Sequence, residues 1–467
     1  MQIRDFVKTP FYRVIGNFEL QGKKFQGEWK AVEGSKYYQS PALYKENGFK
    51  EKENALALID SLMQPEPVLS EIEQVAKKKE KKNPPLLFNL AELQNTASKL
   101  FKISPDETLS VVQELYEKKL VTYPRTDARV LSSAVAKEIG KNLNGLQGYP
   151  MTASFLPYIS QNQTYKGLEK TRYVNDKQIT DHYAIIPTGQ GLSALSRLGE
   201  LQTKMYEVIV RRFLSIFYPP AVYQKLNVTV KAGEERFFTS TKVLLEEGFL
   251  PVTQYSFTKK KNPEEILSAE EKEEESFDLK EVLNLLKKGT SVSLTECLVK
   301  EGETSPPKRY NSGSMILAME NAGQLIENEE LREQIKGSGI GTSATRAEIL
   351  KKLFSIEYLN LNKKNQIITP TLKGELVYGI VFCSMPEMIS PNLTASWEKG
   401  LTGVADGSIS EGDYMKKLEA FVQQVVQRAK GGDYRAKLNS FYRSVQPHHA
   451  GENKKKRTTR KKKTTKA

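Results

Sequence analysis

The sequence is poor in the residues that build metal centres and extracellular scaffolds: it has two cysteines, Cys297 and Cys383, among 467 residues, and three histidines. Two of those histidines are adjacent, His448 and His449, and no set of Cys and His has zinc-site spacing, so a zinc ribbon is excluded. A disulfide framework goes with it, and a reducing, cytoplasmic location fits. No apolar run approaches the roughly 20 residues that span a bilayer. The opening Met1-Gln-Ile-Arg-Asp-Phe-Val-Lys has no signal-peptide core. A membrane role is therefore not expected.

What is present is length and positive charge. The chain is long enough for about three domains, and 39% hydrophobic with 27% charged residues is ordinary for a globular protein. The net charge is +14, but Lys454 to Lys466 holds nine Lys or Arg and no acid, leaving 14 − 9 = +5 for everything before it. Such a tail is either a solvated face or a sequence-independent attractor of phosphate.

Along the chain, Phe11 to Trp29 reads as two strands around a turn at Gln21-Gly22-Lys23. The basic, proline-bounded stretch Lys77 to Pro85 reads as a linker before a helix beginning near Leu90. A second β-rich block, from about Tyr223 to Thr258, is expected to join the first strands. Lys259 to Asp278, with Glu270-Glu-Lys-Glu-Glu-Glu275, reads as a mobile charged loop before a helix at Leu279 to Leu286.

Two segments share a helix-turn-helix pattern followed by a turn and strand. The first opens with the capping box Ser104-Pro-Asp-Glu107 and places Leu109, Val112, Leu115 and Tyr116 at helical spacing as a buried face. Its end delivers Tyr123. The second opens with Thr345-Arg-Ala-Glu348, places Ile349, Leu350 and Leu353 on one face, and ends in a hairpin-like run from Asn360 to Thr369. Both suit a winged helix, a module that contacts either nucleic acid or other protein surfaces.

The segment Leu120-Val-Thr-Tyr-Pro-Arg-Thr-Asp-Ala-Arg129 carries the strongest chemistry. Pro124 biases Tyr123 away from helix, so its hydroxyl can sit at a loop tip. A phenol ionises near pH 10, so attack on phosphate needs nearby cations that favour phenolate and neutralise the phosphoryl oxygens. Arg125 offers a planar bidentate donor, Asp127 can hold an arginine in register, and Thr126 can donate one more hydrogen bond. The bland reading is a packed tyrosine in a helix-to-strand turn. His182, in Thr180-Asp-His-Tyr-Ala-Ile-Ile-Pro-Thr188, is open in the same way between a structural and a phosphate-directed role. The run Gly337-Ser-Gly-Ile-Gly341 lets backbone N–H groups approach a phosphate ahead of a helix N-terminus, or simply makes a tight entry turn.

These stretches together resemble the type IA DNA topoisomerases, specifically the topoisomerase III kind. Tyr-Pro-Arg-Thr-Asp at 123–127 is similar to that family's active-site signature. Pro85 to Gln94, Thr180 to Thr188, Gly337 to Arg346 and Leu393-Thr-Ala-Ser-Trp-Glu-Lys-Gly-Leu401 follow in the family's order. Thr304-Ser-Pro-Pro-Lys-Arg-Tyr310 is a weaker match. The resemblance implies an α+β multidomain fold: residues 1–82 as the first part of a split β-rich arch, 83–204 as a winged-helix gate domain bearing the nucleophile, and 205–290 as the second part of the arch. It further implies 291–445 as a helical, winged-helix DNA-binding domain and 446–467 as a basic disordered tail. By resemblance Tyr123, Arg125 and His182 are catalytic. Thr126, Asp127, Arg129, Lys308, Arg309, Gly339, Gly341, Thr345 and Arg346 lie along bound single-stranded or underwound DNA.

Members of that family open with a Toprim domain whose acids bind Mg2+. No Asp-x-Asp occurs here, so the expectation is that this domain is absent, that the chain holds no metal ligands, and that no ATP is used. Two functions follow. One is transient strand cleavage through a 5′-phosphotyrosine, strand passage and resealing, with the missing domain on another polypeptide. The other is a truncated single-strand-binding gate without turnover of its own.

Overall fold

The computed structural model describes residues 2–64, 68–259, 285–325, 329, 332 and 339–449. The expected charged loop, most of the expected helix after it, Gly337, and Lys454 to Lys466 lie outside the described residues. The chain divides into two compact units, Met1–Pro85 with Arg211–Lys308, and Leu86–Val210 with Arg309–Ala467.

The first unit is built on an antiparallel sheet. Strand β1 (Pro10–Leu20) turns through Gln21 and Gly22, both at positive φ, into β2 (Lys23–Lys30), the backbone a two-residue hairpin of matching twist requires. Two short strands, β3 (Leu43–Lys45) and β4 (Gly48–Phe49), extend from β1. The remaining strands are β5 (Leu69–Lys82), β6 (Ala221–Ala232), β7 (Glu235–Glu246) and β8 (Ser291–Glu303). The order β2-β7-β6-β5-β8-β1 closes on itself, because β1 also pairs β2. Closure removes the free edges that an open sheet would expose. Alternate residues point inward: Phe18, Trp29, Ile72, Val230 and Phe237 are fully buried in one core. Trp29 stacks on Phe49 with centroids 5.0 Å apart and donates its Nε1–H to the buried Glu235 at 2.6 Å.

Two sequence expectations change here. The basic stretch 77–82 is no linker: its backbone pairs residue by residue with β6, from Lys77↔Leu226 to Lys82↔Ala221. Ladder hydrogen bonds do not depend on side-chain identity, so a lysine run can be a strand when its neighbour supplies the partners. Likewise the break expected at 290/291 falls at Lys308/Arg309. Val292 and Leu294 of β8 are buried in the barrel core, so that strand belongs to the sheet.

In the second unit, the helices Leu90–Phe101, Ser312–Glu320 and Arg346–Ser355 pack around a small apolar core, and Pro105–Glu117 packs against these helices. Gly313 lies so close to Asn95 that a Cβ there would sit 2.6 Å from its Cα, and Ser98 Oγ meets Ser312 Oγ at 3.2 Å. Ser104 accepts from the Glu107 amide as the N-cap predicts. Leu109, Val112 and Leu115 are buried. Tyr116 is not: it is 38% exposed. The helix Arg346–Ser355 leads into the hairpin of β9 (Leu359–Leu361) and β10 (Ile368–Pro370). Thr345 does not cap that helix; its hydroxyl instead accepts from the Thr342 amide at 2.9 Å. The helices Leu372–Ser384, Pro391–Ala405, Glu411–Gly431 and Arg435–Val445 follow the hairpin, with Trp397 against Tyr414 and Phe421. Among the described residues, no helix is long and apolar enough to cross a membrane.

Candidate active site around Tyr123

Tyr123 stands where the Pro105–Glu117 helix has ended and the chain is extended. Residues 120–122 pair antiparallel with 186–188: Thr122 N donates to Ile186 O at 3.0 Å, and Thr188 N to Leu120 O at 3.0 Å. The Thr122 hydroxyl adds two bonds, donating to Ala184 O and accepting from Ile186 N, both at 3.0 Å. Ile185 N reaches Phe88 O and Ala184 N reaches Val130 O. The apolar Ala-Ile-Ile at 184–186 is buried between these segments. Burial of that tripeptide fixes His182 two residues upstream.

The consequence is a ring pair. Tyr123 and His182 have centroids 4.4 Å apart at 49°, and Tyr116 meets the other side of Tyr123 edge-on at 5.4 Å. Tyr123 is half-buried and His182 exposed. The half-buried Tyr183 beside them has its phenol pushed up by burial.

After Tyr123, the Thr126 amide donates to Pro124 O at 3.0 Å, closing a three-residue turn with Arg125 at its apex. Arg125 is exposed and has no ion-pair partner among the described residues, so its five donors face solvent. Thr126 is only 4% exposed. Its hydroxyl donates to the His182 carbonyl at 2.7 Å and accepts from Ala128 N at 3.1 Å. It ties the two halves of the site from beneath.

The other expected DNA contacts divide sharply. Arg129 donates to the Leu87 carbonyl at 3.2 Å and to Glu92 at 3.0 Å. Arg346 is 3% exposed, with Nη1 at 2.7 Å from Asp127 Oδ1 and 3.9 Å from Glu320 Oε1. The Arg346 guanidinium is folded inward, whereas that of Arg129 is paired but partly exposed. Gly339 packs against the end of the Ser312–Glu320 helix, where a Cβ would lie 2.4 Å from Met319 O. Gly341 has φ +68° and sits against Ile349 and Thr345. Lys308 and Arg309 are exposed and fall on either side of the division between units.

Residues that the sequence reading passed over complete the site. Asn89, 1% exposed, caps the Leu90–Phe101 helix by accepting from Glu92 N at 2.9 Å. Its amide donates to the Asp127 carbonyl at 3.1 Å and to Glu320 at 2.7 Å. Burial raises the Glu320 carboxyl above its ordinary value, against the lowering pull of Arg346. Asn before Leu-Ala-Glu is a cap pattern that could have marked Asn89. Nothing local marks Glu320, because its partners come from distant segments.

Comparison with known proteins identifies the family. A family described as DNA topoisomerase matches residues 1–416. A DNA topoisomerase 3 from Bacillus subtilis is 36% identical over 379 residues, covering 80% of this chain and 48% of that protein. One from Bacillus cereus is 30% identical over 449 residues, covering 93% and 58%. The chain thus spans about half the length of these curated relatives. Full-length topoisomerase I from Thermotoga maritima shares the fold, with a TM-score of 0.58 at 20% identity over 91% of this chain and 60% of that one.

Proposed function

The chain belongs to the type IA DNA topoisomerase family, and from that membership we propose that Tyr123 breaks and remakes one strand of DNA. The phenol oxygen attacks a backbone phosphorus; the P–O3′ bond breaks as the P–O(Tyr) bond forms. The phenolic proton is balanced by the proton taken up at the departing 3′ oxygen. The 3′-hydroxyl then attacks the 5′-phosphotyrosine and restores the strand. One phosphoester replaces another, so no ATP is required. Strand passage through the open break changes linking number.

The observation that carries this reading is the Tyr123–His182 pair, which brings the nucleophile of one motif against the imidazole of another. Its imidazole can donate a hydrogen bond to a phosphoryl oxygen, and Arg125 adds positive charge from the turn apex; such groups act where charge develops. Single-stranded DNA is the substrate, held through phosphate contacts and base stacking, with Lys308, Arg309 and the Thr345 loop as candidate contacts.

Mg2+ is expected for the family. Among the described residues no three Asp, Glu, His or Cys side chains gather as a metal site. The carboxylates beside the turn, Asp127 and Glu92, are each held by an arginine. They do not fit that ion.

The test is an oligonucleotide labelled at its 3′ end, incubated with the chain and denatured in detergent. Label fixed to protein, lost in Tyr123→Phe and not seen with a 5′ label, is the expected result. Binding of the oligonucleotide with no fixed label would leave only a strand-binding gate.

A further inference from the structure

We infer that Arg346 is a positioning residue for the tyrosine turn and acts through Asp127; this rests on the proposed role of Tyr123. The guanidinium is buried at the first position of its helix, and its nearest partners are carboxylates from two other segments. Asp127 lies four residues after Tyr123 and directly follows the turn closed by Thr126. Glu320 ends the Ser312–Glu320 helix, against which the glycine loop packs: Ile340 N donates to Met319 O at 2.8 Å. Asn89 adds the start of the Leu90–Phe101 helix, bonding the Asp127 carbonyl and the Glu320 carboxylate together. Two segments therefore meet on one cation, and Asn89 links them to each other.

The arrangement is asymmetric in a way that assigns the work. Asp127 and Glu320 are like charges, and they would repel one another across the cluster if nothing positive lay between them. Glu320 is also poorly solvated. Arg346 neutralises both, and its Nε is buried without a hydrogen-bond partner. A guanidinium recruited to bind DNA phosphate would present that fork to solvent; this one is folded inward. The glycine loop and the nucleophile turn move as one piece as long as the ion pair holds.

Three variants and the wild type decide the matter, each assayed for oligonucleotide binding and for the rate of covalent adduct formation. Arg346→Gln should leave single-strand affinity unchanged and slow adduct formation by about a hundredfold, the order of loss for an ångström-scale misplacement. Arg346→Gln with Glu320→Gln removes the repulsion and should recover most of that rate. Asp127→Asn, which keeps the shape of the turn, should be slowed without loss of affinity, and covers the case in which Arg346→Gln does not fold. Affinity falling in step with rate, without recovery in the double variant, would make Arg346 a phosphate contact and overturn the inference. Unslowed adduct formation in Arg346→Gln would overturn it equally. A wild type that forms no adduct would instead refute the role of Tyr123.

Discussion

Replacing Asn89 by Ala should loosen the candidate site from its base. Asn89 makes three hydrogen bonds at 1% exposure. The cap to Glu92 N is worth about 1 kcal/mol. The bond to the buried Glu320 carboxylate, a charged acceptor, is worth about 1.5–3 kcal/mol. Because the two share one side chain they are not strictly additive, and a total of about 3 kcal/mol is the reasoned figure. At roughly 1.4 kcal/mol per factor of ten, amides in the first half of the Leu90–Phe101 helix and in the segment 126–130 should exchange about a hundredfold faster. Hydrogen exchange read by mass spectrometry localises the effect to those peptides. Asn89→Ser restores the cap alone and should recover about 1 kcal/mol of the loss. If Asn89→Ala exchanges less than about tenfold faster, or if Ser recovers everything, the Asn89 amide bonds to the Asp127 carbonyl and Glu320 do not hold the helix to the tyrosine segment.

Thr126→Val is nearly isosteric but leaves the His182 carbonyl and the Ala128 amide without their partner; it should cost about 1–3 kcal/mol by thermal unfolding and slow adduct formation. Glu320→Gln should stabilise the protein at neutral pH. Burial raises the folded-state pKa, so the native state binds more protons than the unfolded one as pH rises from the ordinary carboxylate value, and wild-type stability falls through that window. Denaturant midpoints of the two proteins should converge below the ordinary carboxylate pKa of about 4.3; a gap independent of pH would refute this. Deleting Lys454 to Lys466, which removes nine positive charges, should lower affinity for any single strand alike and flatten the salt slope. Filter binding across a salt series checks it.

Some of this was legible in the sequence for clear physical reasons. The β1–β2 hairpin was written in its turn residues and alternation, and the Pro105–Glu117 helix in its cap and spacing. Tyr123 could be nominated because its motif is contiguous. What escaped was whatever depends on distant partners. A lysine run became the second half of β5 because β6 lay beside it. Tyr116, placed on the buried face by helical spacing, turned out to edge onto Tyr123. Arg346 read as a phosphate contact because its motif is glycine-rich and basic, yet its guanidinium meets Asp127. Charge alone does not say whether a side chain points outward.

The central claim is that the Tyr123 oxygen takes up DNA phosphate. After the chain is incubated with single-stranded oligonucleotide, denatured, and digested with nuclease and then protease, mass spectrometry of the tyrosine-bearing peptide tests it. The peptide from 120–125 should carry a nucleotide 5′-phosphate on Tyr123. A nucleotide on any other residue, or none on a chain that binds the oligonucleotide, would contradict it.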